Sequence, residues 1–457
     1  MSKDEQVSKL KEILGEERVL HNRVDVLPYC SDYSHRDSYV EYGVWPACVV
    51  LPETTEEVSE IVKLAASERI PIVPRGGGSS QVGGSMPVHG SIVVSTARMN
   101  KVIDIDSVNM MVTAQPGVNL KEIDDVLEPH GLILAQEQGS YKTANIGGAV
   151  STNGFSMRHN RYRDIGENVL SLEVVLGDGS VLRTGRKVCS NSSGYPLHKL
   201  FVGAEGTLGI ITELTLRIHR RPEKELAVLA LLDGWEKAQK VAWELNSSGL
   251  NFAGGYGFEL DREELGGRVA GVLVGIEGSA EEVDATAKRV RRLIEEHGGR
   301  FLDDETAWNQ WRLGRMLWCG TAAETDLCGD DLVVAMPLQY YDEARERIIR
   351  EVYPKYGATV GGENARVVLL GTRHLVTFGF YYDPKALSLS RLKEMFGEMM
   401  RIVAEYGGVG PGCHATGMLL ADHFEIEHDP VRAETMRRIK RALDPYNIMN
   451  PGKKLLM

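Results

Sequence analysis

Pro74-Arg75-Gly76-Gly77-Gly78-Ser79-Ser80-Gln81-Val82-Gly83-Gly84 is the stretch on which the reading of this sequence turns. Residues without Cβ let successive backbone N–H groups turn toward one anion, so the loop has the composition of a phosphate cradle and suits a diphosphate. A Rossmann fingerprint would open a helix, but Ser85-Met86-Pro87 and a further apolar run follow, and no Gly-Lys-Ser/Thr follows as in a P-loop. Upstream, residues 47–51 form a short apolar run. Thr54, with Glu57 three residues on, signals a helix start whose Val58, Ile61, Val62 and Ala65 share one face. Residues 71–73 and 91–95 read as strands on either side of the loop. The chain therefore begins strand, helix, strand, loop, strand, an α/β pattern, although the loop alone also admits a plain glycine-rich turn.

Farther along, strands are expected at 110–114 and 169–176, a helix from about Asn119, and a hairpin at Asp178-Gly179 between two apolar runs. Thr143-Ala144-Asn145-Ile146-Gly147-Gly148-Ala149-Val150-Ser151-Thr152-Asn153-Gly154 puts small and hydroxyl-bearing residues where a helix starts, which exposes unpaired N–H groups to a ligand or serves close helix packing. Phe201-Val202-Gly203-Ala204-Glu205-Gly206-Thr207-Leu208-Gly209-Ile210-Ile211-Thr212 sets three glycines ahead of a strand. From Glu223 the texture changes to long strands and amphipathic helices, such as 280–297 and 342–356. The expected division is a helical segment over 1–45, a first domain over 46–222, a separate α+β domain over 223–406, and a closing segment over 407–457 that contains a helix over 430–443.

Length and composition exclude several classes. At 457 residues the chain fits two or three domains, on a prior of roughly 100–200 residues each. It is 43% hydrophobic and 25% charged, and no apolar run reaches the ~18–20 residues a membrane span needs. The first 17 residues carry no apolar core of a secretory signal, so a cytoplasmic location, with peripheral attachment to a membrane left open, is the expectation. The net charge of −12 disfavours a nucleic-acid partner. Six cysteines without C-x-x-C pairing argue against an iron–sulfur cluster, a zinc ribbon or a disulfide framework.

Taken together, Pro74-Arg75-Gly76-Gly77-Gly78-Ser79, Gln115-Pro116-Gly117, Ile146-Gly147-Gly148, Asn191-Ser192-Ser193-Gly194-Tyr195 and Gly203-Ala204-Glu205-Gly206-Thr207-Leu208-Gly209 resemble, in order and spacing, the vanillyl-alcohol-oxidase superfamily with its PCMH-type FAD-binding domain. The branch resembled is that of glycolate oxidase subunits and D-lactate dehydrogenases, and the closing Leu443-Asp444-Pro445-Tyr446-Asn447-Ile448-Met449-Asn450-Pro451-Gly452-Lys453 is similar to it as well. The resemblance implies an α+β protein: a two-subdomain FAD-binding domain, an α+β cap over the flavin, and a C-terminal segment that returns to the FAD domain. It also implies that Pro74, Arg75, Gly76, Gly77, Gly78, Ser79, Ser80, Gly83 and Gly84 hold the pyrophosphate. Pro116, Gly117, Thr143, Ile146, Gly147, Gly148, Ser151, Thr152 and Gly154 would lie along the cofactor. Glu205, Gly206, Gly209, Ile210 and Ile211 would add contacts, and Asn450 would stand near the isoalloxazine. Some relatives attach FAD to a histidine of the glycine loop; none lies between Arg75 and Pro87, so non-covalent FAD is expected.

On the side of the chemistry the sequence departs from the branch. Where the pattern is Gly-Glu-His-Gly-Ile-Gly, this chain has Gly412-Cys413-His414-Ala415-Thr416-Gly417. His414 remains as the expected base for a hydroxyl proton. The metal-binding run His-x-Gly-Asp-Gly-Asn-x-His is replaced by Leu370-Gly371-Thr372-Arg373-His374-Leu375-Val376-Thr377-Phe378, so no catalytic metal is expected. Arg373, Arg312 and Arg315 are candidates to hold a carboxylate instead. Tyr382, in the Tyr381-Tyr382 pair, admits a phenolic substrate, although paired aromatics in strands are usually core. The first expectation is an FAD-dependent dehydrogenase of a small D-2-hydroxy acid, passing electrons to a quinone, cytochrome or electron-transfer protein, with a homo-oligomer left open. The rivals are an oxidase of phenolic or aromatic alcohols, a relative of alkyl-dihydroxyacetone-phosphate synthase, and a non-catalytic FAD electron-transfer subunit.

Overall fold

The structure is a computed structural model and describes residues 2–34, 44–262, 267–316, 328–360, 366–371 and 373–457. Near the N-terminus, the strands Val19–Leu20, Cys48–Val50, Ile92–Ser95 and Ile72–Arg75 form a four-stranded sheet in that spatial order. The last three run parallel, with Cys48 opposite Ile92 and Ile72 opposite Ile92. The helix Thr55–Glu68 makes the crossover. The Thr54 hydroxyl accepts the Glu57 N–H as the sequence predicts. The Glu57 carboxylate instead accepts the N–H of Glu53 at 2.7 Å, because Arg18 draws it toward the sheet edge.

A second, five-stranded antiparallel sheet runs in the order Val102–Asp106, Met111–Ala114, Ile210–Arg217, Val169–Val175, Val181–Gly185. Its last two strands are the hairpin expected at Asp178-Gly179. The Asp178 carboxylate accepts the Ser180 N–H at 2.8 Å, and Gly179 takes φ +84°, which a side chain would resist. Against this sheet pack Leu120, Ile123 and Leu127 of one helix and Ile146 and Val150 of another.

The following part is built on an antiparallel sheet in the order Arg300–Phe301, Lys224–Leu232, Gly267–Gly278, Gly254–Arg262, Arg366–Leu370, Leu375–Tyr382, Cys328–Ala335, with Thr359–Val360 pairing off the path. The helices Trp235–Ser247, Ala280–Glu296, Tyr341–Glu351 and Leu389–Glu405 bury their apolar stripes on one face. The other face turns to the part that precedes it in the chain, where Met157 joins Val333, Leu369 and Leu375. One helix, expected over 342–356, is two: Tyr341–Glu351 and Tyr353–Tyr356. Pro354 has no N–H to continue the first helix's ladder, and it sits in the first turn of the second helix, where no such donor is needed.

The chain then returns. Ile72 donates its N–H to the Ile448 carbonyl at 2.7 Å and accepts that of Asn450 at 2.8 Å, so the tail adds to the first sheet. Lys440, at the end of Pro430–Leu443, is buried with its ammonium on the carboxylate of Asp444 and on the carbonyls of Thr207 and Met449. A buried ammonium tolerates that position only with such a full set of acceptors.

Candidate active site

The glycine loop leaves the end of the strand Ile72–Arg75 and folds over the segment before the helix Ile146–Thr152. A Cβ on Gly77 would lie 1.8 Å from the Thr143 carbonyl oxygen, so the close approach of the two segments requires glycine there. Gly148 differs, since a Cβ there would meet nothing within 4 Å. Its bare backbone faces a cavity of about 680 Å³. The wall includes Pro28, Asp32 and Tyr33 near the N-terminus, the glycine loop, much of the segment between 137 and 157, the Glu205–Gly206 and 209–211 segments, and Asp331, Val333, Leu369, Cys413 and His414. A large group with a diphosphate fits this cradle of glycines and hydroxyls.

Every residue expected at the cofactor lines the cavity except Gly83, Gly117, Ile146 and Asn450. Gly83 faces Met418, Gly117 lies against the Thr96 carbonyl, and Ile146 is buried in the domain core. Asn450 stands behind the wall. Its amide donates to the carbonyls of Gly84 at 3.1 Å and Glu205 at 2.7 Å, so it holds two wall segments rather than facing the open space. Behind Asn450, the Lys453 ammonium donates to its Oδ1 and to the Met86 carbonyl, and burial pulls Lys453 down to about 8. Arg75 lines the cavity with its guanidinium turned to the carbonyls of Pro28 and Ser85 and set over the Tyr29 ring.

Glu205 connects the cradle to the chemistry. Its buried carboxylate accepts the N–H groups of Thr416 at 2.9 Å and Gly417 at 2.7 Å, which fixes the turn carrying His414. Three arginine–carboxylate bridges tie residues of the third sheet's part to the same unit: Arg158 with Glu277, Arg161 with Glu282, and Arg373 with Asp164.

The structure separates the other candidates. Arg373, spent on Asp164, has its guanidinium over the ring of Phe155, 5.8 Å from the centroid, and does not line the cavity. Arg312 is exposed on the helix Asp304–Met316, and Tyr382 is buried beside Phe380 in the core on the far face of the sheet. The side chain of Arg315 lies outside the described residues.

What the sequence reading missed is Asp331. On the strand Cys328–Ala335, Asp331 and Val333 alternate onto the cavity side, and the available signal was an Asp330-Asp331 pair at the head of an apolar run. Phe155, Met157, Val333 and Leu369, also unforeseen, give the apolar walls around His414 and Cys413. Burial would lower His414, but the adjacent Cys413 thiol and the carboxylates of Asp331 and Asp330 outweigh it and push the imidazole up to about 10. Burial raises Asp331 against the pull of His414, and burial with repulsion from Asp331 lifts Asp330 to about 7. Among the described residues no three His, Cys, Asp or Glu side chains are grouped as a metal ion would require. No helix among them is long and apolar enough to cross a membrane.

Comparison with known proteins agrees with this geometry. Residues 46–185 match the FAD binding domain family, and residues 222–454 match the family of FAD linked oxidases, C-terminal domain. The chain is 32% identical over 426 residues to a D-lactate dehydrogenase of Archaeoglobus fulgidus, covering 89% of this chain and 90% of that protein. It is 28% identical over 448 residues to a glycolate oxidase subunit of Bacillus subtilis, covering 92% and 91%. In fold it is similar to the 4-ethylphenol oxidase of Gulosibacter chungangensis, with a TM-score of 0.80, 20% identity, and coverage of 99% of this chain and 97% of that one.

Proposed function

The chain belongs to the FAD-linked oxidases, and on that premise we propose that it oxidises a small hydroxylated donor at the carbinol carbon, with His414 receiving the hydroxyl proton and no metal taking part. It is an FAD-dependent oxidoreductase with a PCMH-type fold. Bound FAD supplies the acceptor for a hydride; the chain's own residues must orient the donor, take its proton and keep water out. In this reading Gly76, Gly77, Gly78, Ser79 and Ser80 face the diphosphate, and the segment containing Gly147, Gly148, Ser151 and Thr152 lies along the rest of the cofactor. Phe155, Met157, Val333 and Leu369 line an apolar chamber around the carbon that reacts.

The observation that carries the reading is the tie between base and cradle. Glu205 lines the cavity and holds the backbone two and three residues beyond His414, so the imidazole is positioned by the same wall that would hold the cofactor. An imidazole so placed can take the hydroxyl proton at a ring nitrogen as the carbon loses hydride, a contribution of typically about 10²–10⁴ in rate. The relatives are named for glycolate and D-lactate; this chain's residues support the hydroxyl half of that description. Electrons would leave to a quinone, a cytochrome or an electron-transfer protein, and FAD would be held without a covalent bond.

Anaerobic mixing of the yellow holoprotein with D-2-hydroxy acids, neutral alcohols, amino alcohols, aryl alcohols and 4-alkylphenols tests the proposal. Bleaching of the flavin band by at least one hydroxyl compound, unchanged by EDTA, is expected. Failure of all of them, or a loss with EDTA reversed by Zn²⁺ or Mn²⁺, contradicts it.

A further inference from the structure

We propose that the donor is a hydroxyl compound without a carboxylate, recognised through a second hydroxyl or an ammonium group that donates a hydrogen bond to Asp331. The inference rests on the hydroxyl-oxidation reading and narrows its substrate class.

The charges on the cavity wall are the starting point. Among the described residues, the one Lys or Arg side chain that lines the cavity is Arg75, and its guanidinium is committed to the carbonyls of Pro28 and Ser85 beside Tyr29. Those partners belong to the N-terminal segment and the glycine loop. Around His414 the wall offers Phe155, Met157, Val333 and Leu369, which are apolar, and Asp331, which is acidic. Arg373, the guanidinium closest in sequence to the lost metal motif, is turned away by its ion pair with Asp164. Outside the described residues, the sequence puts no Lys or Arg at 317–327 or 361–365, whereas Arg36 and the side chain of Arg315 lie there.

Asp331 is half-buried and lines the cavity. Its strand partner across the ladder is Gly379, which has no side chain to cover the carboxylate. Among the described residues no N–H or hydroxyl is hydrogen-bonded to that carboxylate. His414 faces it electrostatically, and with Asp330 also present the three groups together carry more negative than positive charge when ionised. The other acids on the wall are spent: Asp32 on Ser34 and Ser85, Glu137 on Arg158, and Glu205 on the backbone of residues 416–417.

A carboxylate arriving beside His414 would meet this acid, and among the described residues no uncommitted Lys or Arg side chain lines the cavity to receive it, while the imidazolium of His414 already faces Asp331 and Asp330. Two like charges about 5 Å apart at an effective dielectric of about 20 oppose binding by roughly a hundredfold. A hydroxyl or ammonium donor meets an acceptor that lacks a partner, and leaving such an acceptor unsatisfied is itself costly. The arrangement therefore selects against the acid anion by repulsion and for a donor group by a hydrogen bond, the two means by which a site discriminates.

The test compares compounds of one size on the FAD-loaded enzyme under anaerobic conditions: propane-1,2-diol, 1-amino-2-propanol and D-lactate. The diol or the amino alcohol is expected to reduce the flavin with at least tenfold higher efficiency than lactate. In D331N that ratio is expected to fall at least tenfold, while flavin content and thermal midpoint stay near those of the parent. Oxalate, which cannot be oxidised in this way, supplies a binding readout: it should leave the flavin spectrum of the parent unperturbed and perturb that of D331N. A preference for lactate that survives D331N, or that is lost in R315Q, overturns the inference and leaves the oxidation of hydroxyl compounds standing. Reduction by none of the three, nor by any other hydroxyl compound, fells the oxidation reading, and this inference with it.

Discussion

The cavity has two sides made in different ways. Toward the glycine loop and the helix Ile146–Thr152 it is shaped by backbone and missing Cβ atoms; toward the cap it is shaped by the side chains of Asp331, Val333, Leu369, Cys413 and His414. A backbone-built surface is indifferent to most substitutions but intolerant at the positions that must stay bare. A surface built from side chains can exchange its chemistry one residue at a time while the fold is kept. The sequence motifs that resemble the family accordingly cluster at the glycine-built side, and the departures from them fall at 370–378 and 412–417.

Gly148→Leu breaks the comparison most severely. A leucine suits a helix interior better than glycine does, and its Cβ meets no atom within 4 Å here, while the rest of its side chain would extend into the cavity that Gly148 lines. Purified variant should therefore fold with a thermal midpoint no lower than the FAD-free parent and carry no flavin. If it comes out fully yellow, the cradle has been misplaced.

The next effect is on pH dependence. His414 accepts a proton only when neutral, and its neighbours hold it up to about 10. The rate of flavin reduction should then rise about tenfold per pH unit below that value and level off in the alkaline range. Asp331→Asn removes one of the charges that raise His414, so the plateau should begin at lower pH. A pH-rate profile flat from neutrality upward in the parent would contradict the assignment.

Glu205→Ala acts on the joint between the two sides. Two N–H groups, of Thr416 and Gly417, lose their acceptor, and each buried group left unsatisfied costs about 1–3 kcal/mol. Chemical denaturation should register a loss of that order, and flavin reduction should slow because the His414 turn is released. An unchanged reduction rate would mean that the turn is held by something else. The smallest effect belongs to Arg312→Ala. Exposed on its helix and away from the cavity, the arginine should contribute within about ±0.5 kcal/mol to stability and nothing measurable to flavin reduction; a large drop in the reduction rate would bring the carboxylate-binding candidates back.

Much of this was legible in the sequence for the same reason that the cradle is robust. Glycine at 76–78, 147–148, 206 and 209 and proline at 74 and 116 are backbone statements, and they read the same way alone as they do in the fold. The hairpin at Asp178-Gly179 and the helix Pro430–Leu443 were legible as local chemistry too. Asn450 was harder, because whether an amide faces a cofactor or braces the wall behind it depends on Gly84 and Glu205, hundreds of residues away in the chain. Asp331 was harder still. Which residues of a cap strand face the flavin is decided by sheet register, and the pairing of Asp331 with Gly379 has no local sequence signature. Arg373 looked available as a cation because its partner, Asp164, lies in another part of the chain.

The central claim is that the cradle and the proton acceptor are separable parts of one site. Single-turnover reduction of the flavin in His414→Ala, measured beside the parent with the best donor from the panel and at equal flavin content, tests it most directly. The account predicts the same bound FAD and a reduction rate lower by about 10²–10⁴. Reduction at the parental rate, or loss of FAD along with activity, would contradict it.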